Sequence, residues 1–156
     1  MTKSKFDPER IFLAADNCKK VKSVVGPYYK TCYRWCENNG KYTPVLISED
    51  EKIDYREYIP AYTLEDLLGL LPTVMQVEKI DGHTYLTSEI PSLTDEEIYN
   101  PILYARESGQ DTEYVACYRG QDLGYDELEF VDKDPKKAVC KLILKVINGY
   151  SYVLIR

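Results

Sequence analysis

The sequence predicts an α+β domain in which an antiparallel sheet, built from hairpins, carries two main helices on one face. Two observations predict this class. Strand-like segments occur in pairs joined by short turns, and helical segments occur singly instead of alternating with strands as they do around a parallel sheet. The main helices are expected at about 63–71 and 135–148, with a further helix near the N terminus. The 156 residues are expected to form a single domain, 1–156.

The first predicted element is a helix over residues 7–22. Asp7 and Pro8 are typical of a helix start, because aspartate accepts bonds from the first N–H groups and proline suits the first turn. One apolar side follows at helical spacing, formed by Ile11, Phe12, Ala15 and Cys18. Gly26-Pro27 then ends the segment.

The next segments predict a hairpin and a connection. Residues 28–36 form an aromatic-rich strand, ENNG at 37–40 is the turn, and KYTPVLIS returns as the second strand. Pro44 predicts an edge position for that second strand, because proline has no N–H for the ladder. The charged run at 49–62 is predicted to be an irregular surface connection.

The helix at about 63–71 is marked at both ends. Thr63 followed three residues later by Asp66 predicts a capping-box-like start, and Pro72 predicts the stop. Its apolar face consists of Leu64, Leu67, Leu68 and Leu71. This short leucine-rich helix is expected to contribute much of the core.

Two further hairpins are predicted after this helix. Asp81-Gly82 joins VMQVEKI to HTYLTSEI as the two-residue turn that suits twisted strands, and Gly109-Gln110 separates ILYARES from TEYVACYR. Residues 94–100 are expected to form a helical turn or loop before Pro101. LEFVD is predicted to be a short strand, and YSYVLIR a last strand at the chain end.

The closing helix, DPKKAVCKLILKVINGY, carries the clearest signals in the chain. Asp134 is expected to cap it, Pro135 suits its first turn, and Gly149 its end. The residues predicted to be largely buried, in this helix and the leucine-rich one, are Leu67, Leu68, Leu71, Leu142, Ile143, Val146 and Ile147.

Both helices also carry a resemblance. The matching residues are Pro60, Thr63, Leu64, Leu67, Leu68, Leu71 and Pro72, then Pro135, Ala138, Gly149 and Tyr150. In this pattern the chain resembles small uncharacterised proteins encoded by bacteriophages and prophages. Those proteins share a T-L-x-x-L-L helix ending in L-P and a closing P-x-x-A helix ending in G-Y. The resemblance implies a phage or prophage origin and a compact intracellular fold, and it brings no known activity.

The net charge of −6 is unevenly distributed. Residues 1–42 carry nine Lys/Arg and four Asp/Glu, residues 43–135 carry six and 22, and the last 21 residues carry five and none. An acidic middle of this size repels nucleic acid, which argues against a nucleic-acid partner. Two interpretations remain open: the basic ends fold beside the acidic middle and offset it, or the middle forms a functional acidic face.

Several features bear on the compartment. No apolar run approaches the roughly 18–20 residues of a membrane span, and MTKSKFDPER lacks the apolar core of a signal peptide. The five cysteines form an odd set without tight paired spacing, so reduced thiols are expected. These features predict a cytoplasmic protein, and the resemblance implies that the cell is a bacterial host.

No motif predicts a cofactor or a metal. The only histidine is His83, and there is neither a phosphate-binding glycine loop nor a C-x-x-C pair, although Cys32 and Cys36 share a face of one predicted strand. The carboxylates that a metal-dependent hydrolase or nuclease could use lie mainly in loops and at helix starts: Asp95, Glu96, Glu97, Asp122, Asp126, Glu127, Glu129, Asp132 and Asp134. That enzyme is kept as the alternative function.

The leading interpretation is a non-catalytic module that binds a protein, possibly a basic one. Fifteen tyrosines suit either half-buried strands or a contact surface, because tyrosine offers a large rigid contact. The residues predicted for an acidic, tyrosine-rich surface are Glu49, Asp50, Glu51, Asp54, Tyr55, Tyr58, Asp122, Asp126 and Glu127. A third possibility is a nucleic-acid module using the basic ends and the aromatic residues of TCYRWC. The oligomeric state is left open.

Overall fold

A computed structural model describes residues 7–26, 29–54, 56–88, 98–120, 126–147 and 152–155. It has the α+β architecture that the sequence predicts, with the strands arranged in two antiparallel sheets instead of one. After a 3₁₀ turn at Pro8–Arg10 the elements are α1 (Ala15–Val25), β1 (Tyr33–Asn38), β2 (Lys41–Leu46), β3 (Ile59–Ala61), α2 (Leu64–Leu70), β4 (Met75–Ile80), β5 (His83–Thr87), β6 (Ile98–Ser108), β7 (Asp111–Gly120), β8 (Asp126–Asp132), α3 (Pro135–Val146) and β9 (Tyr152–Leu154).

The smaller sheet has the strand order β2-β1-β3. Its β1–β2 hairpin turns at Asn39-Gly40, whose φ angles of 54° and 78° are those of the turn that matches the twist of paired strands. Pro44 lies in the outer strand, which confirms the predicted edge position. The third strand was not predicted, because a three-residue strand containing Pro60 lies inside a charged run that carries no strand pattern.

The predicted start of the first helix is wrong. Asp7 does accept a hydrogen bond from the N–H of Glu9, at 3.0 Å, but this cap begins the 3₁₀ turn, and α1 starts at Ala15 without a side-chain cap. Between them, Phe12 forms an isolated bridge with Thr63, and the N–H of Leu13 donates to the carbonyl of Tyr62 at 2.9 Å. Pairing with the distant residues Tyr62 and Thr63 therefore replaces the helical turn that the local pattern favours.

The larger sheet has the strand order β8-β7-β6-β4-β5-β9 and contains both of the later predicted hairpins. The last strand, β9, pairs with β5, which confirms the predicted strand at the chain end. Most of the predicted turn at 94–100 lies outside the described residues, but β6 begins at Ile98 and continues through Pro101. Ladder bonds alternate along an antiparallel pair, and counting from the two-residue turn at 109–110 places Pro101 opposite Tyr118 in a non-hydrogen-bonded pair. Its missing N–H therefore costs no bond to β7.

The helix ends follow the predicted chemistry where they are described. Thr63 and Asp66 form a reciprocal capping box with bonds of 3.1 and 3.0 Å, and Asp134 caps α3 by accepting from the N–H of Lys136 at 2.9 Å. Gly149, the predicted helix end, lies outside the described residues. Helix α3 packs on β7 and β8, and both α1 and α2 pack on α3.

One apolar cluster joins the helices to both sheets. It contains Trp35 and Ala61 from the smaller sheet and Ala116 and Tyr118 from the larger one. The residues of the predicted core that are buried are Leu67, Leu71, Leu142, Ile143 and Val146, while Ile147 is partly buried against the cluster. No helix in the described ranges has the length and apolar character needed to cross a membrane.

Leu68 corrects the predicted core, because its side chain is 38% exposed. Along α2, Leu67 is fully buried and Leu64 is half-buried. Each helical residue is rotated by about 100° from the one before it, so Leu64 lies about 60° and Leu68 about 100° from Leu67 around the helix axis. Leu68 therefore lies at the margin of the buried face.

Candidate protein-interaction surface

The acidic segment that follows β2, at 49–57, contacts the smaller sheet through Glu51. Glu51 forms a half-buried ion pair with Arg34 of β1, and its N–H donates to the carbonyl of Ser48 at 3.1 Å. Glu49 and Asp50 lie on the turn between these two anchors, and both are exposed. The carboxylate of Glu51 is therefore engaged within the protein, whereas those of Glu49 and Asp50 face solvent.

Asp54 shapes the backbone of the same segment. Its carboxylate accepts from the backbone N–H of Arg56 at 3.0 Å and from the Arg56 Nε at 3.4 Å. The backbone hydrogen bond, helped by the nearby guanidinium, lowers the pKa of Asp54 below its ordinary value. The carbonyl of Asp54 also accepts from the N–H of Glu57 at 3.0 Å, so this residue organises a turn that leaves Glu57 exposed.

Tyr58 does not belong to the surface on which the sequence placed it. It is only 6% exposed, and its hydroxyl donates to the carbonyl of Tyr29 at 2.9 Å. The ammonium group of Lys22 lies 5.2 Å from its ring centroid and donates to its carbonyl at 2.6 Å. Tyr58 thus joins the acidic segment to α1. Tyr55, the neighbouring prediction, lies outside the described residues.

The tyrosines as a group also correct the prediction of a tyrosine-rich surface. Among those that the structure describes, four are buried, six are half-buried, and only Tyr33 is exposed. The buried ones include Tyr62 and Tyr118, which are fully enclosed in the core. Most of the described tyrosines are therefore strand and core residues, the other role that their number suggested.

The second half of the predicted surface, from Asp122 to Glu127, lies outside the part of the chain whose side chains the structure describes. Asp122 lies outside the described residues, as do the side chains of Asp126 and Glu127 at the start of β8. Of the remaining carboxylates proposed for a metal, those at 95–97 are also outside. Asp132 accepts from the N–H of Asp134 at 2.9 Å and pairs with Lys141 at 3.0 Å, and Asp134 caps α3. In the described part of the chain no three His, Cys, Asp or Glu side chains form a group that could hold a metal ion.

The remaining candidate residues have ordinary structural positions. His83 is exposed at the start of β5, with its ring edge-on to Tyr85 at 6.4 Å. None of the five cysteines is in a disulfide; Cys32 is exposed, Cys36 is half-buried and the other three are buried. In the TCYRWC segment, Trp35 is buried and its Nε1 donates to the carbonyl of Leu13 at 3.1 Å, so this indole is not available for stacking on a base.

Sequence reasoning missed an open apolar groove of about 700 Å³ at the end of the smaller sheet. It is lined by Ile11, Phe12, Cys32, Tyr33, Pro44, Ala61, Thr63, Glu65 and Asp66. The lining comes from four separate parts of the chain. The pairing of β1 with β2 and β3 brings three of them together, and the bridge between Phe12 and Thr63 adds the fourth. The sequence indicated only one part of this lining, through the hairpin predicted for β1 and β2.

Comparison with known proteins gives no relative for this arrangement. No protein-family model matches the chain, no curated protein matches its sequence, and no solved structure matches its fold.

Proposed function

We propose that this chain is a small accessory protein of phage or prophage origin that acts by binding another protein, without catalysis, in the cytoplasm of a bacterial host. The observation that carries the proposal is the acidic turn after β2. Glu49 and Asp50 are exposed and make no ion pair with any residue that the structure describes, although Lys and Arg side chains neutralise many carboxylates elsewhere.

The anchoring of this turn supports a role in recognition. The Arg34–Glu51 ion pair and the hydrogen bond from the N–H of Glu51 to the carbonyl of Ser48 hold this turn, so that a partner would not have to order it. Ordering a loop on binding costs free energy, and a turn that is already held avoids part of that cost. Exposed carboxylates at fixed positions attract a basic partner mainly by accelerating its association.

The experiment compares two double charge reversals. In the test variant, Glu49→Lys is combined with Asp50→Lys. In the matched control, Glu107→Lys is combined with Glu129→Lys, which reverses two exposed carboxylates on the larger sheet. Each surface substitution of this kind usually changes the free energy of unfolding by no more than about 0.5 kcal/mol, so both variants are expected to fold like the wild type.

Tagged wild-type and variant proteins are used to capture partners from bacterial lysate at low and at moderate salt. The proposal expects the test variant to recover less of a specific partner than the control does, with the largest deficit at low salt, where charges are least screened. Equal recovery by both variants at both salt concentrations would count against an acidic binding surface.

A further inference from the structure

We propose that the groove at the end of the smaller sheet binds a short peptide segment of a partner protein, one that combines a large apolar side chain with a neighbouring Lys or Arg. This inference rests on the proposed function and specifies what the partner presents. The groove is defined by the lining residues given above, from Ile11 to Asp66. Its volume of about 700 Å³ falls within the range typical of ligand-binding clefts.

The base of the groove is already packed. Phe12 and Ala61 are buried, and the Phe12 ring contacts Tyr33 with centroids 5.2 Å apart and Trp35 with centroids 6.0 Å apart. Such tilted and edge-on contacts fix the orientation of the rings that make them. An apolar side chain that enters the groove therefore meets a surface that does not have to rearrange.

The upper part of the groove exposes apolar area. Ile11 is 46% exposed and Tyr33 is 37% exposed, and Leu46, the cross-strand neighbour of Tyr33, is 60% exposed. Directly opposed residues of an antiparallel pair lie on the same face, so Leu46 extends the apolar lining. Scattered exposed apolar residues are normal, but a contiguous patch beside a cleft is typical of a binding site.

The charge around the groove is acidic. Among the residues that the structure describes, its lining includes Glu65 and Asp66 and no Lys or Arg. Glu65 is exposed and makes no ion pair with a described residue, whereas Asp66 is engaged in the capping box. The acidic turn lies close by, because the N–H of Ile47 donates at 2.9 Å to the carbonyl of Cys32, a lining residue, and Glu49 follows two residues later. This arrangement favours a cationic residue beside the apolar one.

The edges of the smaller sheet indicate that the partner peptide inserts a side chain into the groove and does not pair with the sheet as an additional strand. The N–H of Ile47 points towards β1, because it donates to the carbonyl of Cys32. Bonding positions alternate along an antiparallel strand, so the backbone nitrogens of Tyr42, Pro44 and Leu46 point away from β1, towards the open edge. Pro44 supplies no donor there, and proline on an edge strand is a common way of preventing pairing with another chain. On the opposite side, Phe12 and Leu13 already pair with the segment after β3.

The probes are short fluorescein-labelled peptides that differ only in charge. Each carries one central Trp, flanked by lysines in the first, by glutamates in the second and by serines in the third. Fluorescence anisotropy with the full chain gives the affinities. The lysine peptide is expected to bind most tightly, the serine peptide less tightly and the glutamate peptide most weakly. At low salt the affinities of the lysine and glutamate peptides should differ by about tenfold or more, and this difference should shrink as salt is added.

Two neighbouring substitutions in β2 provide a matched pair. Leu46→Lys places a charge beside the groove, whereas Val45→Lys places the same charge on the opposite face of the same strand at a residue 38% exposed. Leu46→Lys is expected to weaken binding of the lysine peptide by about tenfold and Val45→Lys by less than about twofold. Circular dichroism and the melting temperature establish that both variants are folded.

Three outcomes would overturn the inference: equal affinity for the lysine and glutamate peptides, equal weakening by the two variants, or no binding of any peptide. A dimer in sedimentation that Leu46→Lys alone dissociates would also overturn it, because a second copy would then occupy the groove. These results are separable from the proposed function. If no peptide binds the groove but the Glu49/Asp50 reversal still reduces partner capture relative to its control, the acidic surface stands without the groove.

Discussion

Adjacent leucines in α2 test how the helix is oriented towards the core. Leu67 is fully buried in the cluster that joins α2 to α3, whereas Leu68 is 38% exposed. Leu67→Ala removes a buried side chain and leaves a cavity, for which the expected loss is about 2–5 kcal/mol in the free energy of unfolding. Leu68→Ala removes area that is already partly in water, and alanine favours the helix slightly, so its expected loss is below about 1.5 kcal/mol.

Urea unfolding followed by circular dichroism measures both variants under identical conditions. The denaturant dependence should stay the same for wild type and variants, so that differences in midpoint report stability. The capping box at Thr63 and Asp66 is untouched in both, which makes each variant a control for the other. A loss for Leu68→Ala equal to that for Leu67→Ala would show that the helix is rotated from the orientation described.

Three further predictions concern titration, thiols and the helix cap. Partial burial disfavours the charged form of Asp132, but the N–H of Asp134 and the ammonium of Lys141 outweigh it and lower the Asp132 pKa. Asp132→Asn should therefore be less stable than wild type at pH 7. This difference in the free energy of unfolding should narrow below about pH 4, as the wild-type carboxylate is protonated, and a difference that does not change with pH would contradict the prediction. In the native protein an aromatic disulfide reagent should modify Cys32 first, while Cys18 and Cys140, whose pKa values burial raises to about 12 and about 11, should react only on unfolding, and early modification of either would contradict their burial. Thr63→Ala should lower stability by about 1 kcal/mol and Thr63→Ser by much less, as judged from urea midpoints, and equal losses would show that the cap is unimportant.

The parts of the fold that the sequence predicts correctly are those decided by neighbouring residues. The Asp81-Gly82 turn has φ angles of 50° and 79°, a conformation that few other pairs adopt easily. The Thr63–Asp66 cap likewise depends on residues three positions apart. In both cases the chemistry that forms the structure lies within a few residues, so a pattern in the sequence is sufficient.

The parts that the sequence does not predict depend on distant pairing. Phe12 has a helical pattern around it, yet its bridge to Thr63 holds the segment extended and delays α1 to Ala15. The same bridge adds Ile11 and Phe12 to the groove, whose lining comes from residues between 11 and 66. The division into two sheets follows from β1 pairing with β3 instead of with a strand of the larger sheet. None of these pairings has a local signature.

The charge distribution links the fold to the proposed surface. The sequence left open whether the basic ends offset the acidic middle, and several pairs that join them now answer this in part: Arg34 with Glu51, Lys136 with Asp134, and Lys141 with Asp132. Each of these pairs also fixes a loop or a helix end, so those carboxylates serve the fold. Glu49, Asp50 and Glu65 have no such partner among the described residues, and all three are exposed. Two belong to the turn after β2 and the third lines the groove beside it, so the carboxylates on which the proposed binding surface depends take no part in these fold-stabilising ion pairs.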